Sequence, residues 1–289
     1  MPTQRIRLDI AYDGTDFSGW ARQPGLRTCQ GLLEGALATV LQQPVTLTVA
    51  GRTDAGVHAS GQVVHVDVPE GFVLDARLPH RLNSLMRASD IAVLSAAIAP
   101  AGFDARFSAI WRRYRYRLQT EVPNPLVRDR TYWSRPLDLA AMQRAAESLI
   151  GLHDFAAFCK PREGATTIRD LREFTWRQID AGGPGEVFEA HLVADAFCHS
   201  MVRSLVGACV AVGEGRLNLA EAAALLEASQ RTNRFTLMPP QGLVLAEVGY
   251  PADDELAAQA NRARAKRTLE DATGVSRYHS QDGNDRSTE

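Results

Sequence analysis

The chain has 289 residues, 45% of them hydrophobic and 23% charged, with a formal net charge of −2 at pH 7. That length can bury a large core in one or two domains, and no apolar run approaches the roughly eighteen residues of a membrane span. The N-terminus, MPTQRIRLDI, has no apolar signal region, so a soluble cytoplasmic protein is expected. Cys29, Cys159, Cys198 and Cys209 form no C-x-x-C pair, and the histidines do not fall at metal-ligand spacings. The cysteines read as small buried residues in a reducing compartment, forming neither disulfides nor a zinc site.

Residues 5–12 alternate as a strand, with Ile6, Leu8 and Ile10 on one face. Thr28 can cap a helix that carries Leu32, Leu33, Ala36, Leu37 and Val40 on one side and ends before Pro44. Strands follow at 45–50 and 62–68, then a helical stretch near 75–87 and an apolar strand at 91–98. This order, β-α-β-β-α-β, is the ferredoxin-like unit. It then repeats: strand 113–119, helix 138–149, strands 169–179 and 187–194, apolar helix 199–212, short helix 219–228 and closing strand 243–248. An α+β fold of two tandem ferredoxin-like halves is therefore expected. The halves are 1–105 and 106–251, joined through the proline-rich connection 121–136. Residues 160–167 read as a polar loop. In the polar tail, 252–289, residues 253–272 can form a surface helix and 275–289 are expected to be disordered.

The chain is organised around residues 50–68, AGRTDAGVHASGQVVHVDV. Alternating apolar runs lead in (Val45, Leu47, Val49) and out (Val64, Val66, Val68), and between them a polar loop carries Arg52, Asp54 and His58. Gly51, Gly56 and Gly61 free the backbone to turn. A carboxylate and a guanidinium presented between two strands suggest a site, whereas the plainer reading is a hairpin whose Asp caps the turn.

Charge is unevenly spread. Residues 1–136 hold 16 Arg and 12 acids, a balance of +4, whereas 137–289 hold 16 basic residues and 22 acids, a balance of −6. Between Arg106 and Arg117 five Arg and no acid are interleaved with Trp111, Tyr114 and Tyr116, a mixture suited to single-stranded or looped RNA. The plainer reading there is an edge strand with solvent-facing arginines. Arg203 is the one Asp, Glu, Lys or Arg between Asp195 and Glu214, set among Met201, Val202, Leu205 and Val206. An arginine in such a setting is expected to be paired, because burying it alone is costly; otherwise it shares a polar helix face with His199.

GRTDAGVHA at 51–59 resembles the signature of the tRNA pseudouridine synthase A (TruA) family. The resemblance extends, in family order, through YDGTDFSGWARQ (12–23), TCQGLLEGAL (28–37), FDARFSA (103–109), RRYRY (112–116), HDFAAF (153–158), AFCHSMVRSLVG (196–207) and QGLVLAEVGY (241–250). Two stretches depart from it: NSLMRASD at 83–90 lacks the family's proline, and the tail after Pro251 has no counterpart.

The resemblance implies a mixed, largely antiparallel sheet flanked by helices, with the site in a central cleft between the halves. It implies isomerisation of uridines 38, 39 and 40 in the tRNA anticodon arm, without cofactor or metal, by a homodimer that grips the tRNA. By family position Asp54 is the catalytic carboxylate and Arg203 its ion-pair partner. Tyr114 packs on the target base and assists loss of the C5 proton, although sequence alone does not separate it from Tyr116. Arg52 fills the space of a flipped base, and Leu245, or its neighbour Leu243, lines the uracil pocket. Arg112 and Arg113 are expected to contact the RNA, and His58 to fix the loop by hydrogen bonding.

Overall fold

Alternation and capping place most elements where the sequence puts them. β1 (Thr3–Tyr12) buries Ile6, Leu8 and Ile10 and leaves Arg5, Arg7 and Asp9 half-buried on its other face. α1 (Cys29–Leu41) starts at Thr28, whose hydroxyl accepts from the Gly31 N–H, and stops at Gln42 in a left-handed conformation. β2 (Thr48–Val49), β3 (His58–Pro69), α2 (Leu78–Met86) and β4 (Ile91–Ile98) complete the first half. The computed structural model describes residues 3–180 and 185–264.

The second half runs β5 (Trp111–Gln119), β6 (Tyr132–Trp133), α3 (Leu139–Glu147), β7 (Gly151–Asp154), β8 (Ile168–Ile179) and β9 (Val187–Ala194). It continues through α4 (Met201–Gly213), α5 (Leu219–Ala224) and β10 (Leu243–Gly249) to α6 (Leu256–Arg264). Among the described residues the strands form one ten-stranded sheet of order β4-β1-β3-β10-β5-β9-β8-β7, with β2 on β3 and β6 on β5. The spatial order β4-β1-β3-β2 in the first half recurs as β10-β5-β9-β8 in the second. The sheet is mixed but mostly antiparallel; its parallel contacts are β5 with β6 and the seam, where β10 meets β3 through Val244↔His58 and Leu245↔Ala59. One hydrophobic core runs across that seam, from Ile6 and Leu33 to Leu205 and Leu245.

Several expectations change in detail. The strand read at 45–50 shrinks to Thr48–Val49, because the Leu47 N–H donates to the buried Glu34 Oε1 instead of to a neighbouring strand. α4 begins at Met201, not at 199, because Ser200 takes φ +68° before it. In the tail, α6 packs Ala257 against Gly102, and its Arg264 pairs with Asp104 at 3.1 Å. The rest of the helix expected over 253–272, and the disorder expected over 275–289, lie outside the described residues.

The expectation of four unpaired cysteines is overturned. Cys159 and Cys198, 39 residues apart, have their Cα atoms 5.8 Å apart and form a disulfide. The fold brings the end of the 156–158 turn against the entry to α4, a proximity that no local spacing encodes. Cys29 and Cys209 are free and buried.

Candidate active site

The loop between β2 and β3 is held from several sides. Thr53 Oγ1 lies 2.8 Å from the Tyr12 hydroxyl, and Gln62 Nε2 donates to Gly51 O at 2.7 Å. The Trp20 N–H donates to Thr53 O at 3.0 Å, and the Val57 N–H closes a turn on Asp54 O at 3.2 Å. Gly56 takes φ +75°, and a Cβ there would stand 2.8 Å from Pro240 Cγ. Gly61 is needed for a different reason: a Cβ would stand 2.3 Å from Ala246 O, so glycine lets β10 approach β3. His58 Nδ1 lies 2.9 Å from the Gly14 N and 3.0 Å from Asp13 Oδ1, and its Nε2 lies 3.0 Å from Gln241 O. His58 thus ties the first loop to the turn at 238–242.

Asp54 emerges from this loop with its side chain 35% exposed. Arg203, in the first turn of α4 and 15% exposed, brings Nη1 to 3.2 Å from Asp54 Oδ2, and its Nε donates to Met238 O at 2.6 Å. An acid from the first half and a guanidinium from the second therefore lie side by side. His199 Nε2 stands 3.4 Å from the other carboxylate oxygen, Oδ1.

On β5, Arg112, Tyr114, Tyr116 and Leu118 are buried, while Arg113, Arg115 and Arg117 are half-buried on the other face. The Tyr114 ring meets Phe197 edge-on at 5.0 Å, and its hydroxyl is 3.9 Å from where a Cβ on Gly51 would stand, so it lies against the Asp54 loop. Burial pushes the Tyr114 hydroxyl up to about 12, opposed by the Arg112 charge and assisted by that of Asp54. Tyr116 is also pushed up by burial, but it donates to Pro239 O at 2.8 Å. The Tyr114 hydroxyl makes no hydrogen bond among the described residues, and this separates the two tyrosines. Leu245 is fully buried directly across the ladder from Tyr114, and Leu243 sits across from Tyr116. Arg52 is exposed and makes no hydrogen bond or ion pair among the described residues.

Two residues expected to contact substrate have partners within the protein. The Arg112 guanidinium is buried and donates to Asp195 O at 2.7 Å, Arg106 O at 2.8 Å and Ala50 O at 3.1 Å. It braces loops of both halves and is turned away from solvent. Arg113 lies on the face of β5 opposite Tyr114, paired with Glu247 at 2.6 Å and stacked on Trp111. Among the described residues no three His, Cys, Asp or Glu come together as a metal site, and no helix is long and apolar enough to cross a membrane.

A family model described as tRNA pseudouridine synthase matches residues 10–108 and 145–251. The chain belongs to that family. The tRNA pseudouridine synthase A of Leifsonia xyli subsp. xyli is 54% identical over 286 residues, covering 92% of this chain and 98% of the relative. The enzyme of the same name from Corynebacterium glutamicum is 50% identical over 281 residues, covering 93% and 97% respectively. That of Streptomyces griseus subsp. griseus is 53% identical over 272 residues, covering 92% and 94%. Like other tRNA pseudouridine synthases, the protein is an isomerase of tRNA uridines. Asp54, His58, His199, Arg203 and Leu245 fall within the matched segments, whereas Arg112, Arg113 and Tyr114 fall between them.

Sequence reasoning missed the 238–242 turn, MPPQG, which Arg203, Tyr116, His58 and Gly56 all grip. The Pro-Pro-Gln-Gly run is a turn signal that could have flagged it. It also left His199 as a polar-face residue, since nothing local indicates that it reaches Asp54.

Proposed function

We propose that this synthase converts uridine to pseudouridine at positions 38, 39 and 40 of the tRNA anticodon arm, with Asp54 as the catalytic carboxylate. The observation that carries the proposal is the Asp54–Arg203 pair at 3.2 Å, set where the two halves of the sheet meet. In the reaction the C1′–N1 bond breaks, the base turns, C5 bonds to C1′, and the proton leaving C5 is balanced by one gained at N1. There is no net redox change, hydrolysis or group transfer to another molecule, so the chemistry calls for no cofactor. The carboxylate can attack C1′ or remove the C2′ proton, and both routes need its charged form. The adjacent guanidinium favours that form in a site where loss of water opposes it.

A base in the anticodon arm is stacked, so it must be turned out of the helix to reach Asp54. Arg52, exposed at the rim, is placed to fill the vacated space and hold a phosphate. Tyr114 offers its ring to the uracil, with Leu245 behind it. Because its hydroxyl is protonated at neutral pH, any proton it takes from C5 must be matched by one it releases in the same step. Arg112 braces the site and does not contact RNA. In this reading residues 1–105 and 106–251 act as two units sharing one groove, with 252–289 appended. The protein works in the cytoplasm as a homodimer, and its Arg-rich surface makes binding strongly salt-dependent.

The test is to incubate purified protein with unmodified tRNA and map pseudouridine by chemical labelling. The proposal expects label at 38–40 with RNA mass unchanged. Abasic sites would indicate a glycosylase instead, and unlabelled tRNA would overturn the assignment.

A further inference from the structure

The contacts of the segment leading into α4 point beyond the Asp54–Arg203 pair. Phe197 packs on Tyr114 at 5.0 Å, Cys198 is bonded to Cys159, and the Lys160 N–H donates to His199 O at 3.0 Å. Ser200 then turns through φ +68° into the helix. The backbone of His199 is thus fixed on both sides, while its half-exposed ring projects toward Asp54, with Nε2 3.4 Å from Oδ1. Arg203, four residues on, faces Oδ2. One guanidinium on one oxygen leaves the carboxylate plane free to rock about its Cβ–Cγ bond. A second donor on the other oxygen removes that freedom.

We propose that His199 is a positioning residue that holds the Oδ1 oxygen of Asp54, so that Arg203 and His199 together set the plane of the carboxylate toward the ribose. The inference rests on Asp54 acting at the sugar, as proposed above. The contact is longer in the free protein than a good N–H···O bond, and such contacts tighten when substrate closes the site. Its expected consequence falls on kcat, because small errors in the placement of a reacting group cost up to about a hundredfold in rate.

The experiment compares wild type with His199→Ala, His199→Gln and His199→Phe, measuring kcat and tRNA Kd at fixed salt. The half-exposed position lets these variants fold, and an unchanged thermal melt serves as the check on folding. Expected are a kcat loss on the order of 10- to 100-fold in His199→Phe and His199→Ala, an unchanged Kd, and partial recovery in His199→Gln, which keeps an N–H donor. Added imidazole should raise the rate of His199→Ala in a concentration-dependent way, a response that a purely structural role would not give. A variant with wild-type kcat would overturn the proposal, and so would one whose loss lies wholly in Kd with a shallower salt slope, which would assign His199 to a phosphate contact. Wild-type protein that forms no pseudouridine would instead overturn the reading of the site itself, and this inference with it.

Discussion

Replacing Arg203 by Met removes the charge beside Asp54 while keeping much of the side chain's bulk. At the observed 3.2 Å, Coulomb attraction is about 1 kcal/mol in a water-like medium and about 5 kcal/mol at an effective dielectric near 20. Asp54 is 35% exposed and Arg203 15%, so screening places the pair in the lower part of that range, at about 2 kcal/mol. If the interaction acts on the charged carboxylate in the transition state, its loss lowers kcat by roughly 30-fold. The same change removes the charge-assisted hydrogen bond to Met238 O at 2.6 Å, which costs a further ~1.5–3 kcal/mol of stability. For a chain of this size that corresponds to a fall in Tm of roughly 2–5 °C. Arg203→Lys keeps a charge but cannot reach Asp54 and Met238 with the same two-armed geometry, so it should fall between the two. The assay is release of tritium from C5-labelled uridine in tRNA under single-turnover conditions, beside a thermal melt. Arg203→Met with the rate and melting temperature of wild type would refute the pairing.

Tyr114→Phe should lower kcat and leave tRNA Kd unchanged, since the ring remains and only the hydroxyl near the Asp54 loop is lost; equal rates for the two proteins would limit Tyr114 to packing. Burial lowers the His65 imidazole to about 4, and its Nδ1 accepts from the Ala105 N–H. The unfolded chain therefore binds the extra proton first, so this contribution to stability is full above about pH 6.5 and is lost as pH falls toward 4. His65→Gln should flatten the fall in Tm between neutral and acid pH, and an unchanged slope would place the sensitivity elsewhere. The Cys159–Cys198 link closes a stretch of 39 residues, so reduction or Cys159→Ser should cost up to about 4 kcal/mol by loop-closure entropy. Melts with and without reductant check this, and identical Tm values would contradict it.

Much of the architecture was legible because it rests on local signals. Thr28 announces α1 by its capping hydroxyl, Asp138 does the same for α3, and the apolar run 91–98 is β4 to the residue. The residues alone suggested a presented Asp54 and a paired Arg203, but only the resemblance joined them: they are separated by 149 residues, and no periodicity links them. What stayed hidden depends on where side chains end. Alternation along β5 puts Arg112 on the Tyr114 face, yet not that its guanidinium is spent on backbone carbonyls. Nor could spacing show that Cys198 meets Cys159, or that His199 beside it faces the carboxylate.

The account stands most directly on Asp54. Asp54→Ala, assayed with C5-tritiated tRNA in excess enzyme, should release no tritium above background while binding tRNA within about twofold of wild type, since the acid is assigned to the transition state and not to tRNA binding. Tritium release by this variant at a measurable fraction of the wild-type rate, with pseudouridine in the product, would contradict the account.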